Sequence, residues 1–214
     1  MFSSASTKAI LNIVFIAILA RLLMPDDFGL IATAMLIVKF AEMCATIGVG
    51  PALVQKKNIT DKHISSAFTF VMILGLLLYG FFLLINPYLA SFFNRYELLK
   101  ILNLICIIIP FHMFSQVSYS LLQKNFKFKS LAGWDVLSYF IGYGMIGVPL
   151  AYSGLGVFSL VWAAIIQAVS YTLFLFLVYP ETFKIKIYKK EIKELLFFGS
   201  GFTIAGFFNY FARN

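Results

Sequence analysis

Charged residues are scarce in this sequence. Asp, Glu, Lys and Arg together make up 12% of its 214 residues, whereas a soluble domain carries about 25%. Hydrophobic residues reach 61%, above the roughly 45–50% that is usual for soluble domains. This composition excludes a soluble globular domain and indicates an integral membrane protein.

Cysteine and histidine are also rare. The two cysteines, Cys44 and Cys106, lie in separate apolar runs without CxxC spacing, and the two histidines are His63 and His112. Such spacing excludes a disulfide framework and a clustered metal site. We therefore expect both thiols to behave as small buried hydrophobic groups.

Catalytic patterns are missing as well. The sequence has no HExxH, no phosphate-binding GxxxxGK[ST], and no Asp four residues after either histidine. A nucleophile with its base, a carboxylate pair or a metal cluster would be needed for enzyme chemistry. The sequence predicts a protein that is not an enzyme and that needs no cofactor or metal.

Long apolar runs predict an all-α, polytopic membrane helix bundle. A polar, lysine-rich linker at 181–194 follows the last of six runs, and a seventh run begins near Leu195. Gly75 and Gly80 in the third run predict close helix contacts. The six predicted spans cover residues 9–23, 28–55, 64–85, 98–122, 131–152 and 155–179.

Proline and glycine predict where these helices stop or bend. Pro25 and the acidic pair after it predict the end of one helix and the first turn of the next. The Gly48–Pro51 stretch predicts a break in the second span, and Asn86-Pro87 predicts the end of the third. Pro110, inside the fourth span, predicts a kink.

Ionisable residues lie at or near membrane depth in four places. Lys39 and Glu42 are three residues apart, hence on one helix face, and Asp135 and Arg213 lie in later spans. One interpretation is a structural Lys39–Glu42 ion pair, with Asp135 and Arg213 reaching towards the membrane surface. The other is a polar cavity whose cations bind an anionic headgroup such as phosphate.

A polar stripe runs along the fourth predicted span. His112, Gln116, Tyr119 and Gln123 recur at i, i+4, i+7 and i+11, a spacing that keeps them on one helix face. Because polar groups avoid lipid, we expect this face to turn towards the inside of the bundle.

Lysine and arginine predict the orientation of the chain. Three of them fall on one side of the predicted spans, at Arg21, Arg95 and Lys100, and twelve fall on the other. The positive-inside rule then places the N-terminus and the loops at 56–63, 124–129 and 181–194 in the cytoplasm. This alternation also explains the net charge of +8 without a nucleic-acid partner. The twelve are Lys8, Lys56, Lys57, Lys62, Lys124, Lys127, Lys129, Lys184, Lys186, Lys189, Lys190 and Lys193.

Several stretches resemble the bacterial polysaccharide flippases of the multidrug, oligosaccharidyl-lipid and polysaccharide exporter superfamily. The clearest are LARLLMPDDFGLIA at Leu19–Ala32, GVGPALVQKKNIT at Gly48–Thr60 and SAFTF at Ser66–Phe70. Weaker ones are LASFFN, LLQKNFKFKSLA and GLGVFSLVW, and FGSGFTIAGFFNYFARN at Phe198–Asn214 resembles the opening of the family's second lobe.

The resemblance implies a two-lobe exporter of undecaprenyl-diphosphate oligosaccharide in the bacterial inner membrane, working by alternating access. Residues 1–194 would be the N-terminal lobe and 195–214 the first helix of a second, so the chain is expected to be an N-terminal fragment that does not transport alone. The implied partners are the lipid-linked oligosaccharide, the bilayer and other polysaccharide-assembly membrane proteins. In relatives the cavity is lined partly by helices one, two and seven, where Lys39, Glu42 and Arg213 fall. From their polarity alone, Asp135, His112 and Gln116 are further candidates to face it.

Two other functions remain open at this point. An ion-coupled multidrug antiporter of the same superfamily would use an intramembrane carboxylate, for which Glu42 or Asp135 would serve. A non-transporting membrane component of glycan assembly is the other. Among these, a glycan polymerase would need a large outward-facing loop, and no predicted outward loop is long enough.

Overall fold

A computed structural model describes residues 2–45, 49–56, 58–180 and 185–197, except for the side chains of residues 2–5, 44 and 45. The regular structure of these residues is helical, as predicted. A further helix covers residues 189–197. The earlier elements are α1 (Phe2–Leu22), α2 (Pro25–Ala45), α3 (Val49–Gln55), α4 (Asp61–Phe92), α5 (Tyr96–Ile105), α6 (Ile108–Lys124), α7 (Phe128–Tyr139), a π-helical segment (Phe140–Gly147), α8 (Val148–Tyr152) and α9 (Val157–Val178).

Four helical stretches of the described chain are long and apolar enough to cross a membrane. They are α4, the α5–α6 pair, the run from α7 through α8, and α9. The protein is therefore a multi-pass membrane protein. Helices α1 and α2 have 21 residues each, about 31 Å at 1.5 Å per residue, close to the hydrocarbon thickness. That they complete a six-helix lobe stays a prediction.

The turn between α1 and α2 confirms the predicted helix stop. Helix α1 ends at Leu22, and α2 begins at Pro25, where the missing proline N–H has no helical partner to lose. The carboxylate of Asp27 accepts hydrogen bonds from Met24 N at 3.0 Å and Val157 N at 3.1 Å. One side chain thus caps the α2 terminus and ties it to the start of α9.

The second predicted span contains two described helices, and residues 46–48 between them, where the predicted break begins, lie outside the described part of the chain. Helix α2 ends at Ala45 and α3 runs from Val49 to Gln55. Pro51 is the third residue of α3, where a helix has no intrahelical acceptor for its N–H. The proline therefore fits the first turn of α3 at no cost in hydrogen bonds.

The predicted end of the third span at Asn86-Pro87 is wrong. Helix α4 continues through Pro87 to Phe92. Proline is tolerated inside a membrane helix when neighbouring groups stabilise the segment. Here Asn86 is fully buried, and its Nδ2 donates to Asn103 Oδ1 on α5 at 2.9 Å. The side-chain contact between α4 and α5 holds the helix across the proline.

The kink predicted at Pro110 takes the form of a break between two helices just before the proline. Helix α5 ends at Ile105 and α6 begins at Ile108. Pro110 has no N–H to donate to the carbonyl of Cys106, four residues earlier. That carbonyl instead accepts from Ile109 N at 3.0 Å, a tighter three-residue turn. Cys106 itself is buried and free, as expected.

The π-helical segment between α7 and α8 lies against α9 and was not predicted. A Cβ added to Gly142 in this segment would lie 2.5 Å from the carbonyl oxygen of Ala163. Only glycine allows the backbones to approach this closely. Helix α9, flanked by Gly156 and Pro180, occupies the centre of the bundle and contributes a large share of the principal core.

Candidate functional site

One face of α6 is polar and the other is packed. His112, Gln116, Tyr119 and Gln123 are all at least partly exposed, whereas Met113 and Val117 on the packed side are buried. The spacing predicted from the sequence therefore defines a real helix face. This face borders open cavities in the described part of the bundle.

The membrane-depth end of this face carries an ion pair. Glu42 Oε1 on α2 lies 2.8 Å from His112 Nδ1 on α6. Lys39 is exposed on α2 and makes no ion pair with any described residue. The interpretation of Lys39 and Glu42 as partners is thus wrong, because α6 brings a polar group to Glu42 from another element.

The other end of the face opens into a cavity of about 670 Å³. Lys8 Nζ on α1 lies 2.6 Å from Asp135 Oδ2 on α7, and both side chains are more than one third exposed. The ion pair therefore stands in the cavity wall, within reach of solvent. The wall comprises Lys8, Ala9, Asn12, Tyr119, Gln123, Phe128, Lys129, Leu131, Ala132, Asp135, Val136 and Tyr171.

Two further polar contacts shape this cavity. Tyr139 OH on α7 donates to Asn12 Oδ1 on α1 at 2.6 Å. Gln123 Nε2 donates to Tyr119 OH at 3.0 Å, one turn along α6. Since Lys8 and Asn12 are four residues apart, one face of α1 supplies both contacts to α7.

The polar surface continues beyond this cavity. Gln123 also borders a neighbouring cavity of about 390 Å³, lined by Gly50, Pro51, Val54, Gln55, Gln116 and Ser120 as well. Gly50 matters here, because a Cβ at this position would lie 2.5 Å from Gln116 Nε2. Amides, hydroxyls and the Glu42–His112 contact therefore follow one another along α6, and the Lys8–Asp135 pair lines the larger cavity beside its Tyr119 and Gln123. Such a surface suits a ligand with many hydroxyl groups.

Contacts among loop residues confirm that the predicted loops fall at two ends. At one end Lys56 Nζ binds Glu194 Oε2 at 2.6 Å, and Lys124 donates to the Lys56 carbonyl. At the other end Arg95 pairs with Asp26 at 2.8 Å. The hydrogen bond and the charge of Asp26 raise the pKa of Arg95 above its ordinary value.

Comparison with known proteins now decides the family. The sequence model of the family described as polysaccharide biosynthesis protein matches residues 18–214. The chain belongs to this family. It is a family of transport proteins, not of enzymes.

Individual relatives agree with this assignment. The chain is 31% identical to the succinoglycan biosynthesis transport protein ExoT of Rhizobium meliloti (strain 1021) over 74% of this chain and 32% of ExoT. It is 22% identical to the lipopolysaccharide biosynthesis protein WzxC of Escherichia coli (strain K12), over 95% of this chain and 42% of WzxC. It is also similar to the teichuronic acid biosynthesis protein TuaB of Bacillus subtilis (strain 168), 26% identical over 52% of this chain and 23% of TuaB.

The chain spans less than half the length of these relatives. No solved structure matches it.

The structure of this polysaccharide biosynthesis protein brings some of the predicted site residues together and leaves others apart. Glu42, His112 and Gln116 lie along one polar surface, and Asp135 lies in the wall of the larger cavity. Lys39 is exposed and makes no ion pair with any of these described residues. Arg213 lies outside the described residues.

Lys8 and Asn12 are the cavity residues that the sequence analysis missed. The sequence pattern places Lys8 in a loop before the first span and assigns no role to Asn12. Their four-residue spacing, with Asn12 inside the apolar part of α1, is the signal that could have joined them. Among the described residues, no group of three or more His, Cys, Asp or Glu side chains could hold a metal ion.

Proposed function

We propose that this chain is part of an exporter that moves lipid-linked oligosaccharide units across the bacterial cytoplasmic membrane. The carrier would be undecaprenyl diphosphate. The observation that carries the proposal is a continuous polar surface in a multi-pass membrane protein of the polysaccharide biosynthesis family. The name of the relative ExoT as a transport protein supports it.

The chemistry of the surface fits an amphiphilic substrate. Sugar hydroxyls both donate and accept hydrogen bonds, as do the amides of Asn12, Gln116 and Gln123 along the polar surface. The polyprenyl chain would stay in the bilayer beside the exposed apolar side chains of α1, such as Ile13 and Val14. The headgroup would cross in the polar cavity by alternating access.

Cations would hold the diphosphate. Lys8 stands in the cavity wall, and its partner Asp135 competes with an incoming phosphate for the ammonium group. Lys39 and Arg213 remain proposed as further phosphate contacts, since the nearest acidic neighbour of Lys39 in sequence, Glu42, contacts His112, and Arg213 has no acidic residue close to it in sequence. Three cations far apart in the sequence would recognise a diphosphate as it passes between them.

The proposed orientation has the end with Lys56, Lys124 and Glu194 in the cytoplasm. The excess of Lys and Arg at this end supports it through the positive-inside rule. Substrate would then enter from the cytoplasmic leaflet, where the larger cavity opens beside Lys129.

A deletion strain tests the proposal. The full-length gene product would be removed from its host and replaced by wild type or by the Lys8→Gln, Lys39→Gln and Arg213→Gln variants. Surface polysaccharide, lipid-linked intermediate and membrane protein abundance would be measured together. Lys100→Gln, at the opposite end of the bundle, is the control.

We expect the deletion to abolish surface polymer and to accumulate the lipid-linked intermediate. The three cation variants should reproduce this at unchanged protein abundance, while Lys100→Gln should not. Normal polymer in the deletion strain would refute the proposed function. Normal polymer in all three variants would refute the phosphate assignment alone.

An ion-coupled multidrug antiporter is the second candidate. The intramembrane Glu42–His112 pair favours it, because paired carboxylate and imidazole groups often carry protons in transporters. The same strains separate the two candidates. Loss of resistance to cationic drugs with normal surface polymer would select the antiporter.

A further inference from the structure

A basic and apolar surface lies on the helix at residues 189–197, outside the cavity described above. One side of this helix is fixed to the bundle. Leu195 is 1% exposed and packs in a cluster with Leu53 and Phe68. Glu194 Oε2 binds Lys56 Nζ at 2.6 Å and lies 3.3 Å from His63 Nε2.

The segment before the helix is attached as well. Tyr188 N donates to Ser66 Oγ on α4 at 2.9 Å. Lys62 Nζ lies 5.4 Å from the centre of the Tyr188 ring. These contacts hold residues 186–195 against α3 and α4, so the opposite side of the helix faces away from the bundle.

That opposite side combines lysines with apolar side chains. Lys189, Lys190 and Lys193 are exposed, and none of them forms an ion pair with another described residue. The helix has two acidic residues, and the carboxylate of Glu194 is already bound to Lys56. An open groove of about 560 Å³ is lined by Ile187, Lys189, Ile192, Lys193, Leu196 and Phe197.

The height of the groove in the bundle matches a membrane surface. Helix α6 ends at Lys124 and α4 begins at Asp61, and Glu194 reaches Lys56 between them. The helix therefore lies where two membrane-spanning helices end. At this level an apolar groove meets acyl chains while lysine ammonium groups meet lipid phosphates.

We propose that the groove between Ile187 and Phe197 binds an anionic phospholipid of the cytoplasmic leaflet, such as phosphatidylglycerol. Lys189 and Lys193 contact the phosphate, and Ile192, Leu196 and Phe197 contact the upper part of an acyl chain. The argument is charge complementarity, because the three exposed lysines make no ion pair with any described residue. This site is separate from the cavity, and it rests on the proposed orientation but not on the proposed transport activity.

The test uses the whole purified protein in nanodiscs. One set contains phosphatidylcholine alone, and the other contains one quarter phosphatidylglycerol. Amide hydrogen exchange of residues 186–197 is the local readout. We expect phosphatidylglycerol to slow exchange there about tenfold or more, and high salt to reverse the effect.

Charge-matched variants identify the lysines. The triple variant Lys189→Gln, Lys190→Gln and Lys193→Gln should lose the protection by phosphatidylglycerol. The control is a second triple variant, Arg21→Gln, Lys100→Gln and Lys127→Gln, which removes the same number of positive charges elsewhere. In this variant the protection by phosphatidylglycerol should remain. Exchange in α9, at the centre of the bundle, should be equal in both and shows that the variants are folded.

Four outcomes would overturn the site. Equal protection in phosphatidylcholine would show a merely apolar contact, and equal loss in the control would show a general effect of net charge. A third set of phosphatidylcholine nanodiscs contains undecaprenyl phosphate, and protection there but not with phosphatidylglycerol would assign the groove to the substrate carrier. Absent protection in every lipid would show that the groove binds none of them.

Discussion

Glu42 Oε1 on α2 and His112 Nδ1 on α6 lie 2.8 Å apart. Both elements come from apolar runs, and their partner groups are separated by 70 positions in the sequence. The contact joins α2 to the polar face of α6. It thereby ties the position of α2 to the surface that would meet substrate.

Removing either partner should destabilise the bundle by leaving the other at membrane depth without a partner. We expect the cycle of Glu42→Gln, His112→Ala and the double variant to give a coupling energy of about 1 kcal/mol. Thermal unfolding of purified protein in detergent is the measurement. Strictly additive losses would show that the two groups do not interact.

Two glycines of α4 differ in the space around them, so alanine substitutions at the two positions form a matched test of helix packing. A Cβ at Gly75 would lie 2.8 Å from Met113 Cβ and 3.3 Å from Pro110 Cα, whereas a Cβ at Gly80 would meet no atom of the described residues within 4 Å. The close helix contact predicted at Gly75 is therefore confirmed, and at Gly80 the described part of the chain makes none. Gly75→Ala should lower the Tm by about 3–8 °C, because overpacking costs about 1–3 kcal/mol.

Gly80→Ala should leave the Tm unchanged or raise it slightly, since alanine favours helix. Buried Cys106 reports thermal unfolding in the Tm measurement, because a thiol-reactive dye labels it only when the bundle opens. A Cys44→Ser background removes the second thiol. Equal Tm values for the two alanine variants would contradict the assigned α4–α6 contact.

A structural feature could be predicted from the sequence when the interaction that causes it joins residues close together in the chain. Pro110 and the Pro25 turn act on hydrogen bonds three or four residues away, so both could be predicted locally. Continuation of α4 through Pro87 depends on the buried Asn86–Asn103 contact, which no local rule contains. The partner of Glu42 was missed for the same reason, since it lies on a different helix.

The cavity also combines features that local sequence predicts with features that depend on contacts between helices. The polar stripe of α6 follows from helical periodicity and was predicted as a face. Its junction with Lys8 and Asn12 depends on α1 packing against α7. A charge near a helix end looks like a loop residue in the sequence, and only tertiary structure shows which neighbour it meets.

Orientation can be checked by thiol labelling in intact cells. In a cysteine-free background, Asn58→Cys and Lys189→Cys should not react with an impermeant reagent, because the end rich in lysine should be cytoplasmic. Asn94→Cys, beside Arg95 at the other end, should react. Permeabilised cells provide the control in which all three sites react. Labelling of residue 58 or 189 in intact cells would invert the orientation.

The contact between Glu194 and Lys56 predicts a pH-dependent attachment of the helix at 189–197. Hydrogen bonds from Lys56 and His63, with the charge of Lys56, hold the pKa of Glu194 below its ordinary value of 4.5. Because the folded pKa is lowered, the attachment is fully stabilised above pH 4.5 and is lost as the pH falls through the folded pKa. Hydrogen exchange of residues 189–197, corrected for the intrinsic rate, should therefore rise a few-fold between pH 6 and pH 3.

Glu194→Gln should remove this dependence, because the amide cannot ionise and keeps only a neutral hydrogen bond to Lys56. Exchange at 189–197 in this variant should be fast at both pH values. Glu191→Gln, on the same helix and without a described ion pair, should retain the wild-type dependence. If Glu194→Gln still shows the full pH effect, another group controls the attachment, and the ion pair with Lys56 does not hold this helix.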